Sequence, residues 1–368
     1  MNPDSDARTV DAAVARLRLL RTPGIGPVTY RELLVRYASA EAAIVALPML
    51  AARGGGAPPR IATVDAVERE MAATARHGAR YLFIDDPAYP RLLAAIDAAP
   101  PALILRGNLA LATRACIALV GARNASAAAI RFARQLGHDL APHATIVSGL
   151  ARGIDTAAHL GAMPATIGVI AGGIDVAYPP ENAALQERIA ADGLLVAEQP
   201  PGTEPRARHF PYRNRIIAGL SLGTVVVEAV PRSGSLITAR LAAEMGREVM
   251  AVPGSPLDPR AQGCNQLIRD GATLVQSAAD ILDQVRPIDP RAVRSPVMRF
   301  ASGPAPIAAD ASDGERRVIF ALLGAVPVAV DELVRQTGCP PAIVQTVLLE
   351  LELAGRVERH AGNRVSRA

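Results

Sequence analysis

Between about residues 78 and 287 the chain repeats one pattern: a short uninterrupted apolar run, then an amphipathic helical stretch, then another apolar run. The runs fall at 117–120, 145–147, 167–170, 194–197, 224–227, 249–252 and 273–275. A strand without polar alternation is buried on both faces, and parallel strands reach that state when their crossover helices lie above and below the sheet. The pattern therefore predicts an α/β fold: a Rossmann-like, doubly wound, mostly parallel sheet. The apolar residues 81–84 and the turn at 85–90 just before it are expected to pack on the edge of that sheet.

At 368 residues the chain exceeds one domain, and its composition separates four regions. Residues 1–75 read as a helical, SAM-like or helix–hairpin–helix-like domain, with Val14, Leu17 and Leu20 at helical spacing ahead of Pro23-Gly24-Ile25-Gly26-Pro27. That Gly-Ile-Gly corner fits either a hairpin that offers backbone N–H groups to DNA phosphate or an ordinary helix–turn–helix. Residues 78–287 form the Rossmann-like domain. Prolines 290, 296, 304 and 306 mark 288–312 as a linker. Residues 313–368 hold helices at 315–323, 330–337 and 341–354 and a terminal hairpin, which describes a small winged-helix domain. The third helix of such a domain often enters the major groove. Here it carries Ile343, Val347, Leu348 and Leu351 inside and Gln345, Thr346, Glu350 and Glu352 outside. Those acids speak against a groove role, so protein docking and a vestigial role stand beside DNA contact.

The formal charge is +4 and the pI about 9.3, and all 39 basic residues are arginine. Any phosphate contact is then an arginine contact, and no lysine is present for a Schiff base or a P-loop. Cys116, Cys264 and Cys339 lie far apart, and the six histidines show no metal-ligand spacing. Neither a disulfide framework, a metal site nor another cofactor is expected; the cysteines read as small buried hydrophobes in a reducing cytoplasm. No apolar run reaches the roughly 18 residues that cross a bilayer, and residues 1–6 lack signal-peptide character. A cytoplasmic protein without membrane insertion is expected.

In a sheet of this kind ligands lie beyond the carboxyl ends of the strands. The loops there are Gly121-Ala122-Arg123-Asn124-Ala125-Ser126, Ser148-Gly149-Leu150-Ala151-Arg152-Gly153-Ile154-Asp155, Gly172-Gly173-Ile174-Asp175 followed by Tyr178-Pro179-Pro180-Glu181-Asn182, and Glu228-Ala229-Val230-Pro231-Arg232-Ser233-Gly234-Ser235. Gly121, Gly149 and Gly153 permit close backbone approach. Ser148 stands at a strand end, and Ser233, Gly234, Ser235 and Thr238 form an anion nest at a helix start. Arg206, Arg208, Arg213 and Arg215 crowd His209-Phe210-Pro211-Tyr212-Arg213-Asn214-Arg215 and the residues just before it, with Glu204 as the one acid. This segment is expected as a loop that opens a helix. Guanidinium forks beside a helix N-terminus suit phosphate oxygens; a solvated arginine rim is the other reading. No G-x-G-x-x-G or Walker A motif is present, so a polyanion groove fits better than a single nucleotide pocket. No Ser-His-Asp or Cys-His arrangement can be picked out, and Asp155, Asp175 and Glu228 read first as caps.

Taken in order, Val120-Gly121-Ala122-Arg123, Ser148 through Asp155, His209 through Ser221, Ser233-Gly234-Ser235-Leu236-Ile237-Thr238-Ala239, Ala251-Val252-Pro253-Gly254 and Gly263 through Ala272 resemble the DNA-processing protein A (DprA/Smf) family. The resemblance spans roughly 80–287, and the flanking regions resemble the family's accessory domains. It implies a non-enzymatic single-stranded DNA-binding protein of natural transformation that protects incoming DNA, helps load the RecA recombinase and dimerises through the Rossmann-like domain. Arg123 fits the family's pocket arginine and Phe210 the aromatic beside DNA. Arg206 or Arg208 supplies basic contact where relatives often carry lysine. Ala122 departs from the serine common there, at the cost of one hydroxyl bond to phosphate. Gly121, Arg123, Ser148, Gly149, Gly153, Arg206, Arg208, Phe210, Arg213, Asn214, Arg215, Ser233, Gly234, Ser235 and Thr238 make up the expected nucleic-acid contact set. A nucleotide or sugar-phosphate hydrolase of the lysine-decarboxylase-like fold is the alternative, although its P-G-G-x-G-T-x-x-E motif is only echoed by Gly223 through Glu228.

Overall fold

The computed structural model describes residues 3–285, 310–360 and 362–368. The linker expected at 288–312 lies outside the described residues, apart from 310–312. Two compact units result, one from the described residues of Glu70–Val297 and one from those of Met1–Arg69 and Met298–Ala368. The helices from one end of the sequence and the winged helix from the other thus share a unit.

That shared unit begins with α1 (Pro3–Arg21), α2 (Pro27–Tyr37), α3 (Ala40–Arg53) and α4 (Val64–Arg76), whose end passes into the second unit. Proline at the first position of α2 supplies a preset φ where no N–H is needed. Gly24 takes φ +83° in the corner before it, and Ser39 caps α3 by accepting from the Ala42 N–H at 3.1 Å. Leu19, Ile25, Tyr30, Leu33, Leu34, Leu47 and Leu50 make the core of this hairpin.

The second unit is a nine-stranded sheet. Its strands are β1 (Arg80–Phe83), β2 (Ala102–Gly107), β3 (Cys116–Val120), β4 (Thr145–Ser148), β5 (Thr166–Val169), β6 (Leu194–Ala197), β7 (Gly223–Val226), β8 (Glu248–Ala251) and β9 (Thr273–Leu274). They lie in the order β1-β2-β6-β5-β4-β3-β7-β8-β9. Strands β3 to β9 run parallel, while β2 is antiparallel to β6 and β1 to β2. The seven apolar runs of the repeat are all strands, shifted by at most a residue or two, and residues 81–84 do add to the edge. Strand β2 was not among the expected ones. It follows Pro100-Pro101 and is not set off from both neighbours by helices, so the strand–helix alternation passes over it.

The connecting helices are α5 (Arg91–Ala94), α6 (Ala127–Leu140), α7 (Ile154–Ala162), α8 (Ala183–Asp192), α9 (His209–Leu220), α10 (Gly234–Glu244), α11 (Gln262–Arg269) and α12 (Ala278–Val285). Side chains alternate across each strand. Val147, Ile167, Val169, Leu194 and Val196 share one apolar cluster with residues of α9, α10 and α11 on one face; Ile117, Leu119, Ile146 and Val225 share another with residues of α6, α7 and α12 on the other.

After the undescribed stretch the first unit resumes with α13 (Asp313–Leu322), β10 (Val328–Ala329), α14 (Val330–Thr337), α15 (Pro341–Leu353), β11 (Val357–His360) and β12 (Arg364–Arg367). Ser312 and Glu315 close a reciprocal capping box at the start of α13. The strand order β10-β12-β11 completes the wing. The structure corrects one detail of the expected helix face. Thr346 and Glu350, read as solvent-facing, are buried at 5% and 0% exposure.

Two expectations follow. A Cβ on Gly161 of α7 would lie 2.0 Å from the Arg134 carbonyl oxygen of α6, so these helices touch backbone to backbone. Gly161→Ala should therefore lower stability by about 1–3 kcal/mol, read from denaturant unfolding; an unchanged midpoint would refute the contact. In the other unit, burial and the nearby Glu352 push the Glu32 carboxyl up to about 7 against the opposing pull of Arg359. A carboxyl raised in the folded state favours folding at low pH, and that contribution is lost as pH climbs through about 7. The thermal midpoint of the wild-type chain should fall between pH 4.5 and 7 more steeply than that of Glu32→Gln, and the two should run parallel above that; equal slopes below pH 7 would count against the burial.

Candidate functional site

The chain steps outward from β3 through β4 and β5 to β6, then returns by α9 to β7 on the other side of β3. The loops leaving β3 and β7 consequently part company, which opens a crevice at their carboxyl ends.

Glu228 fastens these two loops. Its carbonyl accepts from the Ala122 N–H at 2.7 Å, and its carboxylate accepts from the Ser126 N–H and the Ser126 hydroxyl, each at 2.8 Å. Ser126 in turn caps α6, accepting from the Ala129 N–H at 3.1 Å. The β4 loop is laced to the β3 loop from the other side. Gly153 takes φ +74° and sits so close to the Ala122 and Arg123 carbonyls that a Cβ would lie 2.3 and 2.7 Å from their oxygens. The Ile154 N–H donates to the Ala122 carbonyl at 3.2 Å. Asp155 accepts from the Gly149 and Ala151 N–H groups at 3.1 and 3.3 Å, and the Ser148 hydroxyl donates to the Leu119 carbonyl at 2.6 Å. Asp155 and Glu228 are thus loop braces rather than helix caps: the N-cap of α7 is Gly153, which has no side-chain cap, and that of α6 is Ser126.

Into this frame α9 brings the arginine-rich segment, and here the structure differs from the expected loop. His209 through Arg215 already lie inside the helix, with Arg208 at its N-cap. Helical phase then separates the two arginines by about 200°. Arg213 runs across Gly149, where a Cβ would fall 1.2 Å from its Nη1; only glycine leaves room for it. Its side chain is buried, its Nε has no hydrogen-bond partner, and no carboxylate of the described residues pairs with it. Burial lowers its pKa, Asp155 opposes that shift and Arg123 adds to it; burial raises Asp155 while Arg213 pulls it back. Arg215 instead donates to the part-buried Glu198 just past β6 at 2.5 Å, and its guanidinium lies 6.0 Å from the centroid of Tyr212.

The rim carries aromatic rings as well. The exposed Arg123 guanidinium lies 5.4 Å from the centroid of Phe210, and Phe210 meets Tyr178 at 5.7 Å with the rings tilted by 57°. Three connections thus meet at one point: the β3 loop, the β5 loop and the first turn of α9. Tyr178 belongs to the third of the expected strand-end loops but not to the expected contact set; its place on the same sheet edge was the available signal. Asn214 reaches across to the Gly234 carbonyl at 3.4 Å, tying α9 to the start of α10. There Ser233 makes no side-chain cap and shares a hydrogen bond with Ser235 at 2.8 Å, and the first turn of α10 holds no acid. Gly234 faces open space, whereas Ser235 and Thr238 are buried. Arg206 and Arg208 are exposed just ahead of α9, where burial and both arginines lower the pKa of His209.

The expected residues Gly121, Arg123, Ser148, Gly149, Gly153, Phe210 and Arg213 therefore come together, although the hydroxyl of Ser148 is spent on backbone. Ser233, Gly234, Ser235 and Thr238 adjoin them through Asn214, and Arg215 does not join. His159 is buried and held neutral, its pKa pushed down to about 3 by burial and Arg213. Burial pushes the thiols of Cys116 and Cys264 up to about 12. Among the described residues no His/Cys/Asp/Glu group could hold a metal ion, and no single helix is long and apolar enough to cross a membrane.

A doubly wound sheet whose switch-point loops are stitched together beneath a buried arginine, with an arginine–aromatic rim above, defines an anion-binding Rossmann-like protein. The chain belongs to the DNA recombination-mediator protein A family, whose model matches residues 80–286. The DprA winged helix domain matches 303–363 and the DprA-like N-terminal HHH domain 10–73. Over 200 residues the chain is 48% identical to the DNA processing protein DprA of Streptococcus pneumoniae, covering 54% of this chain and 71% of that protein. The X-ray structure of DNA processing protein A from that organism matches with a TM-score of 0.58 at 43% identity, over 61% of this chain and 78% of that one. A DNA processing protein A structure from Helicobacter pylori, described for its single-stranded DNA binding mode, matches with a TM-score of 0.52 at 27% identity, over 56% of this chain and 96% of that one.

If Arg213 awaits an anion, inorganic pyrophosphate at matched ionic strength should raise the thermal midpoint by a few degrees in the wild-type chain and by much less in Arg213→Met. Each protein is compared with its own anion-free midpoint, because the substitution also strips Asp155 of its countercharge. Equal rises would place the anion elsewhere.

Proposed function

We propose that this chain binds single-stranded DNA along the carboxyl edge of the Rossmann-like sheet and takes part in DNA processing during natural transformation. The arrangement that carries the reading is the line Arg123–Phe210–Tyr178 beside the buried Arg213. Bases stack on aromatic faces with about 1–3 kcal/mol each and little sequence preference, and guanidinium groups meet the backbone phosphates. A flexible strand bends into a rim built from separate loops, where a stiff duplex would not follow. Gly121, Gly149 and Gly153 keep the loops close, while Arg206 and Arg208 add charge at the mouth. Ser233, Gly234, Ser235 and the α10 N-terminus extend the anion path, with Thr238 packed beneath. Asn214 and Arg215 serve this reading from beneath, by holding α10 and Glu198.

Family membership extends the proposal: the chain protects incoming DNA in the cytoplasm, hands it to the RecA recombinase and works as a homodimer through the Rossmann-like unit. A binder rather than a hydrolase is supported by Asp155 and Glu228, since both carboxylates are occupied by loop N–H groups or a capping hydroxyl.

Titration of fluorescent oligo-dT across a salt series tests the reading. Arg123→Ala should weaken binding about tenfold, near 1.4 kcal/mol, and lower the log–log salt slope by about 0.7 for one lost phosphate contact. Phe210→Ala should weaken binding by a comparable factor and leave the slope unchanged. Unaltered affinity and slope in Arg123→Ala would reject the rim, and release of base or phosphate from nucleoside monophosphates would favour the hydrolase.

A further inference from the structure

Helix α15 occupies the place from which a winged helix reads duplex DNA. It has two buried faces. Ile343, Val344, Val347, Leu348 and Leu351 fill the winged-helix core, whereas Leu349 and Leu353 belong to the core of the N-terminal helices, beside Leu47, Leu50 and Ala51 of α3. The second face is sealed by close backbone approach. A Cβ on Gly54 would lie 2.1 Å from the Glu350 carbonyl oxygen, and one on Gly56 would lie 2.5 Å from the Ala354 Cα. This contact accounts for the Gly54-Gly55-Gly56 triplet, which the sheet-edge site does not use.

Polar groups around the seam are matched across it. Arg359 donates to both carboxylate oxygens of Glu32 at 3.0 and 2.9 Å and to Glu352 at 2.8 Å. Arg36 donates to the Thr346 hydroxyl at 3.0 Å, and Arg356 to the Gly54 carbonyl at 3.1 Å. Arg53 bridges to Asp310 at 2.9 Å, while on the winged-helix side itself the buried Glu350 is held by Arg316 of α13 at 2.8 and 3.0 Å. The face that α15 turns to α3 is thus apolar and acidic, the reverse of a phosphate-facing surface.

We propose that the winged helix of this chain is an intramolecular clasp: α15 is committed to α3 of the same chain, joining the two ends of the sequence into one folding unit, and it does not read duplex DNA while docked. The occupant of the docking face is the segment 40–56. Strand binding at the sheet edge is a separate matter and neither supports nor is needed by this assignment.

Hydrogen exchange on the full chain tests it without any nucleic acid. Arg359→Glu should raise exchange of the α3 amides and of the α15 amides together, by tenfold or more, while α13 and α14 change little. The exchanged pair Glu32→Arg with Arg359→Glu, made with Glu352→Gln because Glu352 also contacts position 359, should restore protection in both helices, which separates undocking from simple misfolding. Gly54→Leu is expected to act like Arg359→Glu without touching a charge. In gel shifts, duplex DNA should bind the wild-type chain no more tightly than it binds Gln345→Glu. Protection of α3 that ignores both winged-helix and Gly54 substitutions would overturn the clasp. So would duplex affinity in the wild-type chain that falls with Gln345→Glu.

Discussion

The sheet edge depends on the capture of one carboxylate. Glu228 lies two residues past β7 at the point where an anion would approach, and an ionised acid there would repel it. Both carboxylate oxygens are instead turned to Ser126, on the N–H and the hydroxyl, while the backbone carbonyl holds Ala122. These bonds join the loops that the reversal of strand order drives apart. They also set the β3 loop over Gly153, where any side chain would meet the Ala122 and Arg123 carbonyls. Arg123 is consequently presented from a braced loop, so less conformational entropy is left to lose when a ligand arrives.

The sheet was legible in the sequence because buried parallel strands leave an unusual mark: apolar residues on both faces with no polar alternation. The edge pair β1–β2 left a weaker one, since β2 lacks its own flanking crossover helices. The site was legible as a set of loops and less so as a set of side chains. Crowded arginines at 206–215 look like solvated loop, yet from His209 onward they belong to a helix whose phase sends Arg213 over Gly149 and Arg215 to Glu198. Composition cannot tell those two arginines apart; only the start of the helix does. Tyr178 was hidden for a related reason, because its value lies in meeting Phe210 from a different loop. On α15, polarity at Thr346 and Glu350 resembled a wet face, but Arg36 of α2 satisfies the first and Arg316 of α13 the second.

Because every basic residue is arginine, partners rather than residue type divide structural cations from ligand-facing ones. Arg215 has Glu198, Arg359 has Glu32 and Glu352, and Arg316 has Glu350 and Asp310. Each such group is compensated, and removing one partner would strand a buried charge. Arg213 is as deeply buried as Arg215, but its nearest opposing charge, Asp155, already accepts two backbone N–H groups and forms no ion pair with it. Desolvating a guanidinium without a matched acid is costly. On the proposed function an incoming anion would complete that charge balance, and the glycine that makes room for Arg213 lies on the same edge as Arg123 and Phe210. On the same reading, that coincidence is what would turn a stable Rossmann-like scaffold into a binding surface.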